Sequence, residues 1–184
     1  LTRTTSPKVW RQARRNMQMV FQDPYTSLEA RMPVWQLVSE PLYINGERNE
    51  HVLRERAEEL LLRVGLGRDD LDRHVFEFSG GQRQRIAIAR ALIGGAKFIV
   101  CDEPVSALDV SVHSQICNLL LDLQQEMELT YLFISHNLSL IKHITKHMAV
   151  MYLGTVLECG STEEIFRSPE CPYTQALISS ILQL

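Results

Sequence analysis

Apolar residues recur along this chain with two different periods. Between residues 34 and 66 the period is helical. Val34, Leu37 and Val38 share a face, and Leu53, Ala57, Leu60, Leu61 and Val64 fall at i, i+4, i+7, i+8 and i+11. Pro41 is expected to break the first of these helices, Asn45-Gly46 to turn the chain, and Gly65 and Gly67 to end the second. Upstream, Met17 to Phe21 reads as a short strand stopped at Asp23-Pro24, because proline restricts its predecessor and lacks an N–H. Beyond residue 78 the pattern alternates. A helix is expected over Gly80 to Ile93 and a buried strand over Phe98 to Cys101. Next comes a helix with Val112, Ile116, Leu119, Leu120, Leu123 and Met127 on one face, then a strand over Thr130 to Ile134 and a helix over Leu138 to Ile144. Met148 to Leu153 and Thr155 to Cys159, joined at Gly154, read as a hairpin. Short buried strands alternating with helices predict an α/β fold with a parallel sheet.

Composition narrows this picture. The 184 residues are 45% hydrophobic and 22% charged, a globular balance. Nineteen Lys and Arg against twenty-two Asp and Glu give a net charge of −3, which argues against a general polyanion binder. One stretch is basic: Arg3, Lys8, Arg11, Arg14 and Arg15 precede residue 22 with no acid among them, and a solvated face is the simpler reading than a nucleic-acid arm. The most apolar run, Ala87 to Cys101, is interrupted by Arg90 and Lys97 and falls short of a membrane span. Cys101, Cys117, Cys159 and Cys171 form no CxxC pair, so neither a zinc site nor a disulfide framework is suggested.

Four places carry chemistry. Ser79-Gly80-Gly81-Gln82 has the form of a capping box at a helix start, with two glycines where helix propensity disfavours them by about 1 kcal/mol each. Bare backbone at a positively polarised helix end suits a phosphate; tight packing is the alternative use of the glycines. Phe98 to Cys101 ends in Asp102-Glu103, where one carboxylate can serve a metal beside a phosphate and the other can orient or deprotonate water. His136 follows the next strand and Gln22 the first.

The order of these motifs resembles the nucleotide-binding domain of ABC transporters. Phe21-Gln22-Asp23-Pro24 matches the Q-loop, and Phe78 to Gln82 the LSGGQ signature with Phe78 in the Leu position. Phe98 to Glu103 matches Walker B with the catalytic glutamate, Ser106 to Asp109 the D-loop, and His136 the switch histidine. Val20 to Leu28, Glu77 to Leu92, Asp102 to Val110 and Pro172 to Leu177 look like the oligopeptide/dipeptide importer branch, with nickel importers as close relatives.

That resemblance implies a P-loop NTPase-like (RecA-like) core over 1–29 and 79–160, a helical subdomain over 30–78 and a helical extension over 161–184. It implies two ATP molecules held between two such domains. Ser79, Gly80, Gly81, Gln82 and Asp109 would face the nucleotide gripped by the partner, and Asp102 would serve Mg²⁺. Glu103 would polarise water, His136 hold the γ-phosphate, and Gln22 sense metal and water. The implied partners are a second nucleotide-binding domain, permease subunits and, indirectly, a solute-binding protein. The implied place is the cytoplasmic face of the membrane, and the implied work is import of peptides or similar small solutes.

One expected part is not in this sequence. A phosphate-binding loop G-x-x-x-x-G-K-[ST] cradles the ATP phosphates. None of the glycines at 46, 65, 67, 80, 81, 94, 95, 154 and 160 is followed by Lys and then Ser or Thr. Only 21 residues precede Gln22, and the first is Leu, so a longer gene product is expected, with the isolated chain binding ATP weakly and exposing apolar sheet. Alternatives stay open: a non-catalytic interaction module, a non-transport ABC ATPase, or a nucleic-acid binder using Arg83, Arg85 and Arg90. The 56 residues between Gln22 and Ser79 hold no sustained heptads, unlike the coiled-coil ATPases.

Overall fold

The computed structural model of the chain describes residues 6–180. They form two compact units, one ending at Ile134 and the other starting at Ser135. The first unit opens with helix α1 (Pro7–Asn16), an element not among those expected from the sequence. The Ser6 hydroxyl accepts the Val9 N–H at 3.4 Å, and Arg14 and Arg15 lie in the last turn, where cations suit the negative helix end. Four of the five basic residues of this stretch are therefore helical; Arg3 lies outside the described residues. Strand β1 (Met17–Val20), the single turn α2 (Pro24–Ser27), and helices α3 (Val34–Ile44) and α4 (Glu50–Arg63) follow. Two 3-10 turns, Arg68–Asp70 and Val75–Glu77, lead to α5 (Gly80–Leu92), β2 (Phe98–Asp102), α6 (Val110–Met127) and β3 (Thr130–Ile134).

The three strands run parallel in the order β1, β2, β3. Met17 lies opposite Phe98 and Val20 opposite Cys101, while Phe98 lies opposite Thr130 and Asp102 opposite Ile134. The α/β expectation holds, and the parallel register has a direct consequence. All three carboxyl ends open at one edge, where Gln22 and Glu103 leave their strands. Val20, Ile99 and Cys101 of the sheet, Ile86 and Ile88 of α5, and Ile116, Leu120 and Leu123 of α6 are buried. Phe21, Leu132 and Ile134 are about half exposed, and the last two share one face of β3 because side chains alternate along a strand.

Pro41 does not break its helix, which runs on to Ile44. Its missing N–H deprives the Leu37 carbonyl of an intrahelical donor. Buried Val34, Trp35, Leu37 and Val38 hold the preceding turns, and the Pro41 carbonyl accepts both the backbone N–H and the side-chain amide of Asn45, at 3.2 and 2.8 Å. The α4 helix ends as expected at glycine. Leu66 N–H donates to Leu61 and Gly65 N–H to Leu62, at 2.8 and 3.0 Å, a Schellman motif with Gly65 at φ +78°.

The second unit holds α7 (Leu138–Ile144), the antiparallel hairpin β4 (His147–Tyr152) and β5 (Thr155–Ser161), α8 (Thr162–Arg167) and α9 (Pro172–Ser179). Leu153 and Gly154 form the two-residue turn, both at positive φ as a primed turn requires. Among the described residues no helix is long and apolar enough to cross a membrane.

Glu158 of β5 ties α9 to the hairpin by accepting the N–H groups of Glu170 and Cys171 at 2.9 and 3.2 Å. The Thr174 hydroxyl beside it, short of hydrogen-bond geometry, and then these two donors hold its carboxyl below the ordinary 4.5. A depressed carboxyl contributes stability above the unfolded value and loses it as pH falls through the folded one. Glu158→Gln is therefore expected to be less stable than the parent at pH 7 in urea unfolding. The two curves should converge as pH is taken well below 4.5.

Candidate functional site

At the carboxyl edge, the Gln22 amide donates from Nε2 to Glu103 Oε2 at 3.1 Å, across 81 positions of sequence. The contact follows from the strands: with Val20 opposite Cys101, the residues just past β1 and β2 are neighbours. Glu103 has left-handed backbone, φ +46°, an uncommon state for a non-glycine residue, costing about 1 kcal/mol or more. Its N–H donates to the Ile134 carbonyl at 2.9 Å. Its own carbonyl accepts the Ser106 N–H at 3.2 Å and the Ser106 hydroxyl at 3.0 Å. Main-chain bonds to β3 and to the following loop thus hold the strained turn. Ser106 has this bracing role beyond its place in the D-loop match, and only its position three residues after the glutamate hints at it.

Asp102, half-buried, is the last residue of β2 and lies opposite Ile134. Among the described residues no three His, Cys, Asp or Glu side chains converge as a metal-binding group. A single carboxylate at a sheet edge fits an ion that draws most of its ligands from phosphate and water, as Mg²⁺ does. The neighbouring Cys101 thiol is pushed up to about 12, and that of Cys117 to about 11, by burial, so neither is a nucleophile.

The start of α5 is built as the sequence predicts. The Ser79 hydroxyl accepts the Gln82 N–H at 3.3 Å, and the Gln82 side chain accepts the Ser79 N–H at 3.0 Å. The N–H groups of Gly80 and Gly81 fall in the first turn, ahead of any intrahelical acceptor. Gly81 is buried, and a Cβ there would stand 2.6 Å from Val112 Cγ1; one on Gly80 would stand 3.3 Å from Leu108 Cδ2. At Gly81, then, the absent side chain serves packing inside the chain. It brings the 106–109 loop and the start of α6 against the start of α5. Asp109 occupies the N-cap of α6; its carbonyl accepts the Val112 and His113 N–H groups at 2.8 and 3.3 Å, and its carboxylate makes no capping bond.

The three α5 arginines that a nucleic-acid binder would need point inward. Arg83 donates to the Val75 and Phe76 carbonyls at 2.8 and 3.1 Å, Arg85 to the Val64 carbonyl, and Arg90 to the Ser27 carbonyl and the Glu40 carboxylate. They hold the helical layer to α5. His136 lies in the second unit, exposed, just before Asn137, whose side chain caps α7 by accepting the Leu140 N–H at 3.1 Å. The first unit therefore joins Gln22 to Glu103, and Ser79 to Gln82 to the loop bearing Asp109.

An ABC transporter family model matches residues 2–106. The probable D,D-dipeptide transport ATP-binding protein DdpF of Escherichia coli is 52% identical over 169 residues, 92% of this chain and 55% of that protein. The dipeptide transport ATP-binding protein DppF and the oligopeptide transport ATP-binding protein OppF of the same organism are 49% and 48% identical, over 97% and 95% of this chain and 53% of each relative. The chain spans about half the length of the curated relatives it matches. The solved structure of cbiO1 from Clostridium perfringens, part of the ABC transporter complex cbiONQ, is similar with a TM-score of 0.79 at 29% identity, over 97% of this chain and 72% of that one.

The Gly81–Val112 contact sets two effects against each other. Alanine in a helix is favoured over glycine by about 1 kcal/mol, whereas overpacking costs about 1–3 kcal/mol. Val112 is β-branched and sits in a helix, so it has little rotamer freedom with which to yield. Gly81→Ala is expected to lower the denaturation midpoint, and adding Val112→Ala to recover most of the loss.

Proposed function

The chain belongs to the ABC transporter family, and from that premise we propose that it is the ATP-hydrolysing part of an importer subunit for peptides or similar small solutes. The contact between Gln22 and Glu103 at the open edge of the sheet carries this proposal. It brings an amide and a carboxylate from two strand ends to the place where a parallel sheet receives its ligand.

Each residue then has a physical task. Glu103 lies on a braced, strained turn and orients and polarises the attacking water, as general-base catalysis requires. Gln22, exposed and hydrogen-bonded to that carboxylate, keeps it aimed and responds to the metal and water beside it. Asp102 would hold Mg²⁺, which when bound neutralises phosphate charge. Ser79, Gly80, Gly81 and Gln82 present a polarised helix end to the γ-phosphate of an ATP held mainly by a second nucleotide-binding domain, and Asp109 lies in the loop packed beside them. His136 would hold the same phosphate.

Under this proposal the subunit works as a head-to-tail pair on the cytoplasmic face of the membrane. The helical layer of α3 and α4 docks on permease subunits, and a separate solute-binding protein delivers the cargo. The names of the relatives, which speak of dipeptide and oligopeptide transport, support peptides as the solute class.

Glu103→Gln in the full gene product tests the assignment. Removing the base should lower ATP turnover by about a hundredfold or more, while ATP-driven pairing of the subunits, followed by size-exclusion chromatography, persists. Normal turnover in the variant would overturn the role given to Glu103. Absence of turnover in the parent subunit assembled with its permease would favour an interaction module instead.

A further inference from the structure

Arg90 stands at the far end of the helix that begins with the signature. Its guanidinium reaches two elements at once. Nη1 donates to the Ser27 carbonyl at 2.9 Å, and Nη2 is paired with Glu40 of α3. Ser27 closes α2, the turn that starts at Pro24, two residues past Gln22. The Leu28 N–H in turn donates back to the Pro24 carbonyl at 3.2 Å. The segment that carries Gln22 is thus gripped from behind by the same side chain that holds the helical layer.

The chemistry of the grip matters. A guanidinium is planar, and its donors keep a fixed angle, so bonds to a main-chain carbonyl and a carboxylate lock the two acceptors relative to each other. The side chains of Arg90 and Glu40 are about two-thirds covered, at 31% and 35% exposure, which limits screening by water. They border a cavity of about 950 Å³ whose apolar wall includes Trp10, Met17, Phe21 and Ile44, so α3 is not packed solidly against β1 at this point. α3 and α2 also pack directly on α5, and beside the cavity the charged fork adds the directional link that ties α3, α5 and the 24–28 turn at one point.

We propose that Arg90 is a positioning residue for hydrolysis: it transmits the placement of α3 relative to α5 to the Gln22 segment, and so governs whether Gln22 holds Glu103. The proposal rests on the ATPase reading above and adds a residue outside the motif set used there.

Arg90→Lys tests it in the full gene product. A lysine keeps the positive charge but cannot serve both acceptors with a rigid fork. Loss of a hydrogen bond to a charged group corresponds to about a tenfold change or more. With circular dichroism showing a folded protein, the expected result is a kcat for ATP hydrolysis about tenfold lower, with the KM for ATP nearly unchanged. Hydrogen exchange at the Leu28 amide should rise by about tenfold, while the Ile86 to Ala89 amides of α5 keep their protection. Parental kcat and parental Leu28 exchange would overturn the proposal. So would faster exchange spread evenly along α5, because that marks a helix-stabilising role only. If Arg90→Lys does not fold, Glu40→Gln decides: it retains an acceptor but drops the charge. Leu28 exchange faster than in the parent supports the proposal, and unchanged exchange overturns it. Glu103→Gln measured alongside separates the two levels. Normal turnover in Glu103→Gln overturns the role of Glu103, absence of turnover in the parent assembled with its permease sinks the ATPase reading, and in either case Leu28 exchange still decides whether Arg90 holds the Gln22 segment.

Discussion

A parallel sheet must release every strand at the same edge, and the first unit of this chain depends on that constraint. Because β1, β2 and β3 share one direction, the residues just past β1 and β2 become neighbours, although 81 positions separate them. Hydrogen bonding along the ladder sets this proximity before any side chain does. The register that puts Val20 opposite Cys101 is also the register that lets an amide on one loop reach a carboxylate on the next.

The α5 helix transmits order from that edge to the helical layer. Its first two residues are glycines, so α6 and its preceding loop pack closely against it. Farther along, Arg83, Arg85 and Arg90 each carry hydrogen bonds across to carbonyls outside their own helix. Such bonds are charge-assisted and sit in partly dehydrated places, so they hold position more firmly than exposed ion pairs of the kind seen between Arg56 and Glu59. One helix thereby joins a ligand-facing end, a packed face and a set of cross-links.

Much of this was legible in the residues. The 3.6 period of α4, the continuous apolar run of β2 and the Ser79–Gln82 capping box each follow from local chemistry, and each is found where expected. What was not legible depended on distant neighbours. α1 is short and basic; Val9, Trp10 and Ala13 do recur at i, i+1 and i+4 among its cations, but three apolar residues in a run of arginines read as a solvated stretch beside the longer stripes of α4 and α6. Pro41 reads as a stop by its own covalent geometry, and only Asn45 and the buried face before it show why the helix continues. The arginines of α5 look like a basic patch in one dimension, because their carbonyl acceptors at 64, 75, 76 and 27 lie in other elements. At the site, Gln22 and Glu103 could be named from the motif order, but not the bond between them.

The left-handed backbone at Glu103 separates shape from reactivity. The bonds that brace this turn come from the Ile134 carbonyl and from Ser106, and none of them uses the carboxylate. The carboxylate instead takes the Gln22 amide, so these bracing bonds leave it turned to the neighbouring loop. The bracing bonds are thus indifferent to the chemistry at this position, and glycine, which adopts left-handed backbone freely, would relieve the conformational tension as it removed the functional group. A chain that loses its glutamate here would keep an intact-looking sheet edge, so the soundness of the fold says little about whether the reactive group is present.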